Sequence, residues 1–156
     1  MLAVWHFSFT VSDLDAAVAF YVDALGCTCV HRQEQSNEYT RKLVAYPDAH
    51  LRIAQLRIGE GVQVSGHHLE LVQYLAPRGE RGDRNIANPG AAHLAFAVAD
   101  IEAEYARLSA LGVRFFSTPN LITDGVNKGG GTVYFYGPDD IVHELVQPPH
   151  RTTPLP

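Results

Sequence analysis

Two histidines and two glutamates recur at matching places in this chain and are candidate ligands of one metal ion. His93 stands 87 positions after His6. Glu70 and Glu144 each open the same tetrapeptide, Glu-Leu-Val-Gln. Imidazole nitrogens and carboxylate oxygens together suit Zn²⁺, Ni²⁺, Fe²⁺, Mn²⁺ or Co²⁺. The sequence therefore predicts one divalent metal ion that is held by His6, Glu70, His93 and Glu144.

The two histidines begin two copies of one segment. Residues 6–26 read HFSFTVSDLDAAVAFYVDALG, and residues 93–112 read HLAFAVADIEAEYARLSALG. Alternating apolar residues predict a strand in each copy, and apolar residues at helical spacing then predict a helix. Ser12 or Asp13 is expected to cap the first helix and Asp100 the second. The last glycine of each copy is expected to end its helix.

Each copy is followed by further strand-like stretches, so each half of the chain predicts a β-α-β-β-β module. These stretches lie at 28–31, 41–45, 50–55 and 68–75, and then at 114–117, 132–136 and 141–147. The polar segment 76–89, rich in Gly and Pro, is typical of a linker. We therefore expect modules at 1–75 and 90–148, a tail at 149–156, and an α+β fold.

Strand parity predicts the direction in which the candidate ligands point, because successive side chains of a strand face opposite sides. The large apolar residues that alternate in the first strand are Trp5, Phe7, Phe9 and Val11. We expect them to face the helices, which leaves His6 on the opposite, concave side. The same alternation turns Glu70, His93 and Glu144 to that side of their strands. A divalent cation would offset the cost of burying the carboxylates.

The remaining histidines are expected to lie outside the ligand set. His68 shares a strand face with Glu70, but at about 6.6 Å along the strand it would at most support a ligand. Tyr134 and Tyr136 share one face of their strand and are expected to serve packing. Surface or packing roles are expected for the other histidines, which are His31, His50, His67, His143 and His150.

Composition limits the classes of partner. The formal net charge is −5 and no run of Lys or Arg exceeds two residues, so no nucleic acid partner is expected. No apolar run reaches the roughly 18 residues of a membrane span, and the first residues lack the basic and apolar regions of a signal peptide. We therefore expect no membrane association and a cytoplasmic location. Cys27 and Cys29 are too far apart on an extended strand for a relaxed disulfide and are expected to be reduced.

The repeated opening segment and the closing stretch 129–149, GGGTVYFYGPDDIVHELVQPP, resemble the vicinal oxygen chelate superfamily. That superfamily includes glyoxalase I, methylmalonyl-CoA epimerase, extradiol dioxygenases, fosfomycin-resistance enzymes and bleomycin-binding proteins. The resemblance extends from His6 to Pro148. It implies two modules that form an open, cup-shaped barrel of eight strands with helices outside. It also implies a small-molecule substrate and a homodimer.

The order of the four ligands is similar to that of glyoxalase I and the epimerases. The resemblance implies a lyase or isomerase that chelates an oxygenated substrate and stabilises an enediolate-type intermediate. Glu144, and secondarily Glu70, would be the base that moves the proton. Thr10 and Tyr74 stand where glyoxalase I has an Arg and an Asn that help to hold glutathione, so a glutathione thioester is not the expected substrate.

Two other functions stay open at this point. An extradiol dioxygenase would hold Fe²⁺ with His6, His93 and Glu144, leaving Glu70 out. A drug-binding protein of the bleomycin-resistance kind would need no convergent ligands, so the four candidates disfavour it. The sequence fixes neither the metal nor the substrate, nor whether the modules pair within one chain or across a dimer.

Overall fold

Each half of the chain folds into one four-stranded sheet with helices. A computed structural model describes residues 3–60 and 64–149. The chain divides into two units, Met1–Gly82 and Asp83–Pro156, and the division falls inside the segment 76–89. The expected tail, 149–156, lies outside the described residues except for its first residue.

The first unit contains a sheet in the order β1-β4-β3-β2. Its strands are β1 (Phe7–Thr10), β2 (Thr28–Gln35), β3 (His50–Arg57) and β4 (Leu69–Ala76). Strand β1 runs parallel to β4, and the other neighbours are antiparallel. Its helices are α1 (Leu14–Ala19), which continues as a π-helical turn over Phe20–Ala24, and α2 (Glu38–Val44).

The second unit repeats this topology, with a sheet in the order β5-β8-β7-β6. Its strands are β5 (His93–Ala97), β6 (Asn120–Leu121), β7 (Gly131–Tyr136) and β8 (Val142–Gln147). Strands β5 and β8 are parallel, and the other pairs are antiparallel. Helix α3 (Ile101–Ala110) follows β5, and a short 3-10 turn precedes β8. The predicted α+β fold of two β-α-β-β-β modules is confirmed.

The two repeated helices begin and end where the sequence predicts. Asp13 accepts hydrogen bonds from two backbone N–H groups of the first turn of α1. Of the two candidates for this cap, Ser12 and Asp13, the cap is therefore Asp13. Asp100 accepts one from the backbone of α3 at 3.0 Å. Gly26 and Gly112 follow the helical segments with φ of 69° and 82°, a conformation that glycine adopts without strain.

Apolar side chains of β4 and β8 form the core beneath these helices. Leu69 and Leu71 are fully buried, and Leu145 is 1% exposed. Helix α1 contacts β4 and β3. The buried residues that it and the turn after it contribute are Leu14, Ala17, Val18, Tyr21 and Ala24. Burying each large apolar side chain contributes about 1.5–3 kcal/mol.

The predicted strand at 41–45 is wrong, because this segment is part of helix α2. Asn37 accepts a hydrogen bond from the Thr40 backbone at 2.9 Å and so caps the helix. Ala45 ends it in the left-handed conformation. Arg, Lys and Leu are good helix formers, and the short apolar alternation was not enough to specify a strand. Leu43 is 66% exposed, while Val44 packs on β3 and β4.

The predicted packing of the first strand is wrong at its beginning. Trp5 is 58% exposed and Phe7 56% exposed, whereas Val11 is buried. The reason is that β1 is an edge strand and α1 lies over β4 and β3. Strand parity predicts which side chains share a face, but it does not predict which part of that face a helix covers.

The predicted strand at 114–117 is reduced to a single bridge between Phe115 and Phe135. The strand that borders β7 is β6, three residues further on. Pro119 lies between them, and a proline has no N–H group to donate to a neighbouring strand.

Both cysteines are free, as predicted. Cys27 is buried, and burial raises the pKa of its thiol to about 11. In the part of the chain that the structure describes, no helix combines the length and apolar character that a membrane span requires.

Candidate metal centre

The first unit brings His6 and Glu70 together. His6 directly precedes β1, and Glu70 lies on the parallel strand β4 opposite Ser8. His6 Nε2 is 3.8 Å from Glu70 Oε1. The His6 side chain is 27% exposed and that of Glu70 17% exposed, so both are accessible to a small ion.

The second unit brings His93 and Glu144 together in the same register. Glu144 lies on β8 opposite Ala95 of the parallel strand β5. In each unit the histidine therefore stands two residues before the strand partner of the glutamate. His93 Nε2 is 3.2 Å from Glu144 Oε2. The two pairs belong to separate units.

The geometry within each pair suits an ion that its histidine and glutamate would bind together. Nitrogen and oxygen ligands stand about 2.0–2.2 Å from a transition-metal ion, so two ligand atoms of one ion are about 3–4 Å apart. The 3.8 Å in the first unit is too long for a hydrogen bond but lies within that range. The 3.2 Å in the second unit allows either interaction. The donor set therefore fits a divalent cation.

Strand β7 supports the glutamate of the second pair. Thr132 Oγ1 donates a hydrogen bond to Glu144 Oε1, which leaves Oε2 facing His93. The ring of Tyr134 meets that of His93 edge-on, with centroids 5.2 Å apart. Burial, and then the negative charge of Glu144, raise the pKa of Tyr134, so its hydroxyl stays protonated at neutral pH. Tyr134 therefore lies beside the pair of His93 and Glu144, whereas the sequence predicted only a packing role for it.

His67 belongs to the first pair, although the sequence predicted a surface or packing role for it. It is 3% exposed, and its Nε2 lies 3.1 Å from His6 Nδ1. One ligand atom each from His6, His67 and Glu70 lie within 4.8 Å of one another. Strand parity could not reveal this contact, because residue 67 lies in the turn before β4 and Gly66 has a φ of 78°. The sequence signal that could have revealed His67 is the pair of adjacent histidines, His67 and His68, directly before strand β4.

Two other histidines on or beside the ligand strands have structural roles. His68 Nδ1 accepts a hydrogen bond from the Ile58 backbone at 3.1 Å and so joins the ends of β3 and β4. His143 is fully buried, with its ring against Phe96 and Phe135. Burial lowers the pKa of His143 to about 4, so it is neutral at physiological pH.

An apolar cluster borders Glu70 on its own face of the first sheet. Val72, two residues further along β4, packs with Leu51 and Ile53 of β3. Val44 of α2 and Tyr74 pack against the same cluster. Helix α2, which the sequence did not predict, thus places Val44 on the face that carries Glu70. A small substrate with both polar and apolar surface suits such surroundings.

Comparisons with known proteins agree with this architecture. The family profile described as Glyoxalase/Bleomycin resistance protein/Dioxygenase superfamily matches residues 3–145. A 2-epi-5-epi-valiolone epimerase from an Actinomyces species is 38% identical over 153 residues, which cover 95% of this chain and 80% of the relative.

Solved structures show the same fold. A glyoxalase family protein from Bacillus cereus superposes with a TM-score of 0.80 over 96% of each chain, at 21% identity. A genomically encoded fosfomycin resistance protein from Listeria monocytogenes, solved with Mn(II) and a sulfate ion, superposes with a TM-score of 0.60. That match covers 94% of this chain and 93% of the other, at 16% identity.

Proposed function

Because this chain belongs to the Glyoxalase/Bleomycin resistance protein/Dioxygenase superfamily, we propose that it is a metal-dependent epimerase of a small hydroxylated ketone. The observation that carries the proposal is the His–Glu pair that recurs in the same strand register in both units. The epimerase relative favours isomerisation over lyase chemistry, and the suffix of its substrate's name denotes a ketone.

In this proposal the ligands of the cation are His6, Glu70, His93 and Glu144. Two imidazoles and two carboxylates accept several divalent ions, so Zn, Ni, Fe, Mn and Co all remain candidates. The Mn(II) of the Listeria protein, which shares the fold, supports a divalent ion in general. When bound, the cation supplies positive charge beside the substrate's oxygen atoms and offsets the charge that develops on them.

We assign Glu144 as the base and Glu70 as the second candidate for that role. Thr132 holds Glu144 Oε1, so Oε2 would be the oxygen that accepts the proton, and it would leave the cation to do so. The proton leaves the carbon next to the ketone, and the electrons of the C–H bond move towards the carbonyl oxygen. A proton from water then returns to the opposite side of that carbon and completes the inversion, and Glu144 releases the abstracted proton to water. The step requires no oxidant or reductant.

The test is turnover of 2-epi-5-epi-valiolone in deuterated water, followed by proton NMR. The unmodified protein is expected to exchange the proton next to the ketone and to form the epimer. Glu144→Gln is expected to lower the rate by about 10²–10⁴-fold, the usual contribution of a general base, while losing only part of its metal. Metal content is measured by mass spectrometry after purification without chelator.

Glu34→Gln is the matched control. Glu34 Oε1 pairs with His50 Nε2 at 2.6 Å on the exposed side of β2 and β3, so it too is a His–Glu pair. Its substitution is expected to leave turnover unchanged. Undiminished turnover in Glu144→Gln would disprove the assigned base.

The other candidate functions give different results in the same samples. Oxygen consumption with catechols, without proton exchange, would indicate an extradiol dioxygenase. Binding of an antibiotic without any metal would indicate a drug-binding protein. We also expect a homodimer, which sedimentation of the purified protein measures directly.

A further inference from the structure

The two ring nitrogens of His67 contact different partners. Its Nδ1 lies 3.3 Å from the carbonyl oxygen of Ser65, and its Nε2 lies 3.1 Å from His6 Nδ1. His67 is 3% exposed, so these contacts take the place of water. The Ser65 hydroxyl lies 2.6 Å from the carbonyl oxygens of both Trp5 and His67, which ties the turn to the segment that carries His6.

These contacts determine which nitrogen of each neutral ring carries its proton. A carbonyl oxygen only accepts hydrogen bonds, so His67 Nδ1 carries the N–H that faces Ser65. A neutral imidazole has a single N–H, and His67 Nε2 is therefore an acceptor. It accepts from His6 Nδ1, which leaves His6 Nε2 with a lone pair. That nitrogen is the one that faces Glu70, at 3.8 Å.

We propose that His67 is a positioning residue that holds His6 as the Nδ1–H tautomer, with Nε2 ready to bind the cation. The inference rests on the proposed metal site and adds a residue to it. A metal-binding histidine commonly donates its other N–H to a fixed acceptor, and loss of that acceptor weakens metal binding by about 10–100-fold. In this chain the acceptor is a second, buried imidazole rather than a carboxylate or carbonyl.

The alternative is that His67 itself binds the metal together with His6 and Glu70. In that arrangement His6 would bind through Nδ1, the nitrogen that faces His67. The hydrogen bond at 3.1 Å and the orientation of Nε2 towards Glu70 favour the positioning role. The two arrangements predict different NMR signals, because metal binding shifts the resonance of the nitrogen that it contacts.

The experiment starts with the unmodified, metal-free protein labelled with ¹⁵N. Long-range proton–nitrogen spectra, at a pH where they show both rings neutral, report which nitrogen carries the proton. We expect Nδ1–H for both His6 and His67. Observation of His6 as the Nε2–H tautomer would overturn the inference without any variant.

Zinc titration then compares two substitutions. His67→Phe removes the acceptor and is expected to weaken zinc binding by about 10–100-fold. His67→Gln offers a carbonyl oxygen where Nε2 stood, and it is expected to keep both the His6 tautomer and most of the affinity. His31→Phe is the control, because His31 is exposed on β2 and its Nε2 lies 3.4 Å from Gln33; it should change neither measurement.

The possible results separate this inference from the proposed function. Zinc binding by His67→Phe as tight as that of the unmodified protein overturns the positioning role alone. A zinc-induced shift of His67 Nε2 like that of a bound nitrogen also overturns it, in favour of a third ligand. If the unmodified protein binds no divalent ion, the proposed function fails and takes this inference with it.

Discussion

At the scale of single residues, the two candidate His–Glu pairs differ in which member has a further side-chain contact. In the first unit the histidine is held, because His67 contacts His6. In the second unit the glutamate is held, because Thr132 donates to Glu144. A carboxylate with one oxygen held presents its other oxygen in a fixed direction. This difference supports the assignment of Glu144 rather than Glu70 as the principal base.

Thr132→Val tests this assignment, because valine keeps the shape of the side chain and removes the hydroxyl. A hydrogen bond to a charged group contributes about 1.5–3 kcal/mol, and partial exposure of the site reduces that value. We expect kcat for epimerisation to fall by about tenfold, which corresponds to about 1.4 kcal/mol.

Thr132→Ser keeps the hydroxyl and is the matched control, with kcat close to that of the unmodified protein. Melting temperatures of both variants show whether the fold is intact. Equal kcat for the valine and serine variants would mean that the hydrogen bond to Glu144 has no part in turnover.

The sequence predicted the four candidate ligands but not the residues that support them. The candidates stand at repeated positions, so comparison of the two halves found them. His67 contacts only the first pair and Thr132 only the second, so comparison of the two halves could not reveal them. His67 also lies in a turn, where the alternation of a strand does not apply. Their roles depend on contacts that only the folded chain makes.

At the scale of elements, the repeated tetrapeptide joins the candidate site to the helix of its module. Its first residue, Glu70 or Glu144, belongs to a candidate pair, and its second is a buried leucine. Its fourth residue accepts a hydrogen bond from the first helical N–H group. Gln73 Oε1 accepts from the Leu14 backbone at 3.4 Å, and Gln147 Oε1 from that of Ile101 at 2.8 Å. The tetrapeptide thus carries both a candidate ligand and the acceptor for the start of the helix.

Gln147→Leu is expected to destabilise the protein by about 1–2 kcal/mol. The substitution removes an acceptor from the N-terminus of α3, where backbone N–H groups lack partners within the helix. Gln147→Glu keeps an acceptor and adds a negative charge that favours a helix N-terminus, so its stability should match the unmodified protein. Urea unfolding measures both, and a loss of stability in the glutamate variant alone would contradict the role.

Sequence patterns predicted the repeated elements better than the elements found in one module only. The strands at which the candidates lie and the helices that follow β1 and β5 occur twice, and Asp13 and Asp100 cap the two helices alike. Among the described residues, helix α2 has no counterpart in the second unit, and its apolar residues gave a short alternation that resembled a strand. Its helical form depends on the Asn37 cap and on packing of Val44, which is a tertiary contact.

At the scale of the whole molecule, two units of one topology each contain one of the two candidate His–Glu pairs. The proposed enzyme needs both pairs for the same ion, since one pair alone leaves the ion short of protein ligands. Removal of either glutamate should therefore affect the same binding event. This expectation can be tested without a substrate, through the stability that a bound ion adds to the folded chain.

Zinc at 100 times its dissociation constant is expected to stabilise the unmodified protein by about 2.7 kcal/mol. For a chain of this length that corresponds to a rise in melting temperature of roughly 5–10 °C. Glu70→Gln and Glu144→Gln should each lose most of this rise at the same zinc concentration, because each removes a ligand of the one ion. Glu34→Gln, which alters the exposed pair with His50, should keep it. If only one of the two ligand variants lost the rise, the ion would be held by a single unit, and the shared ligand set would have to be abandoned.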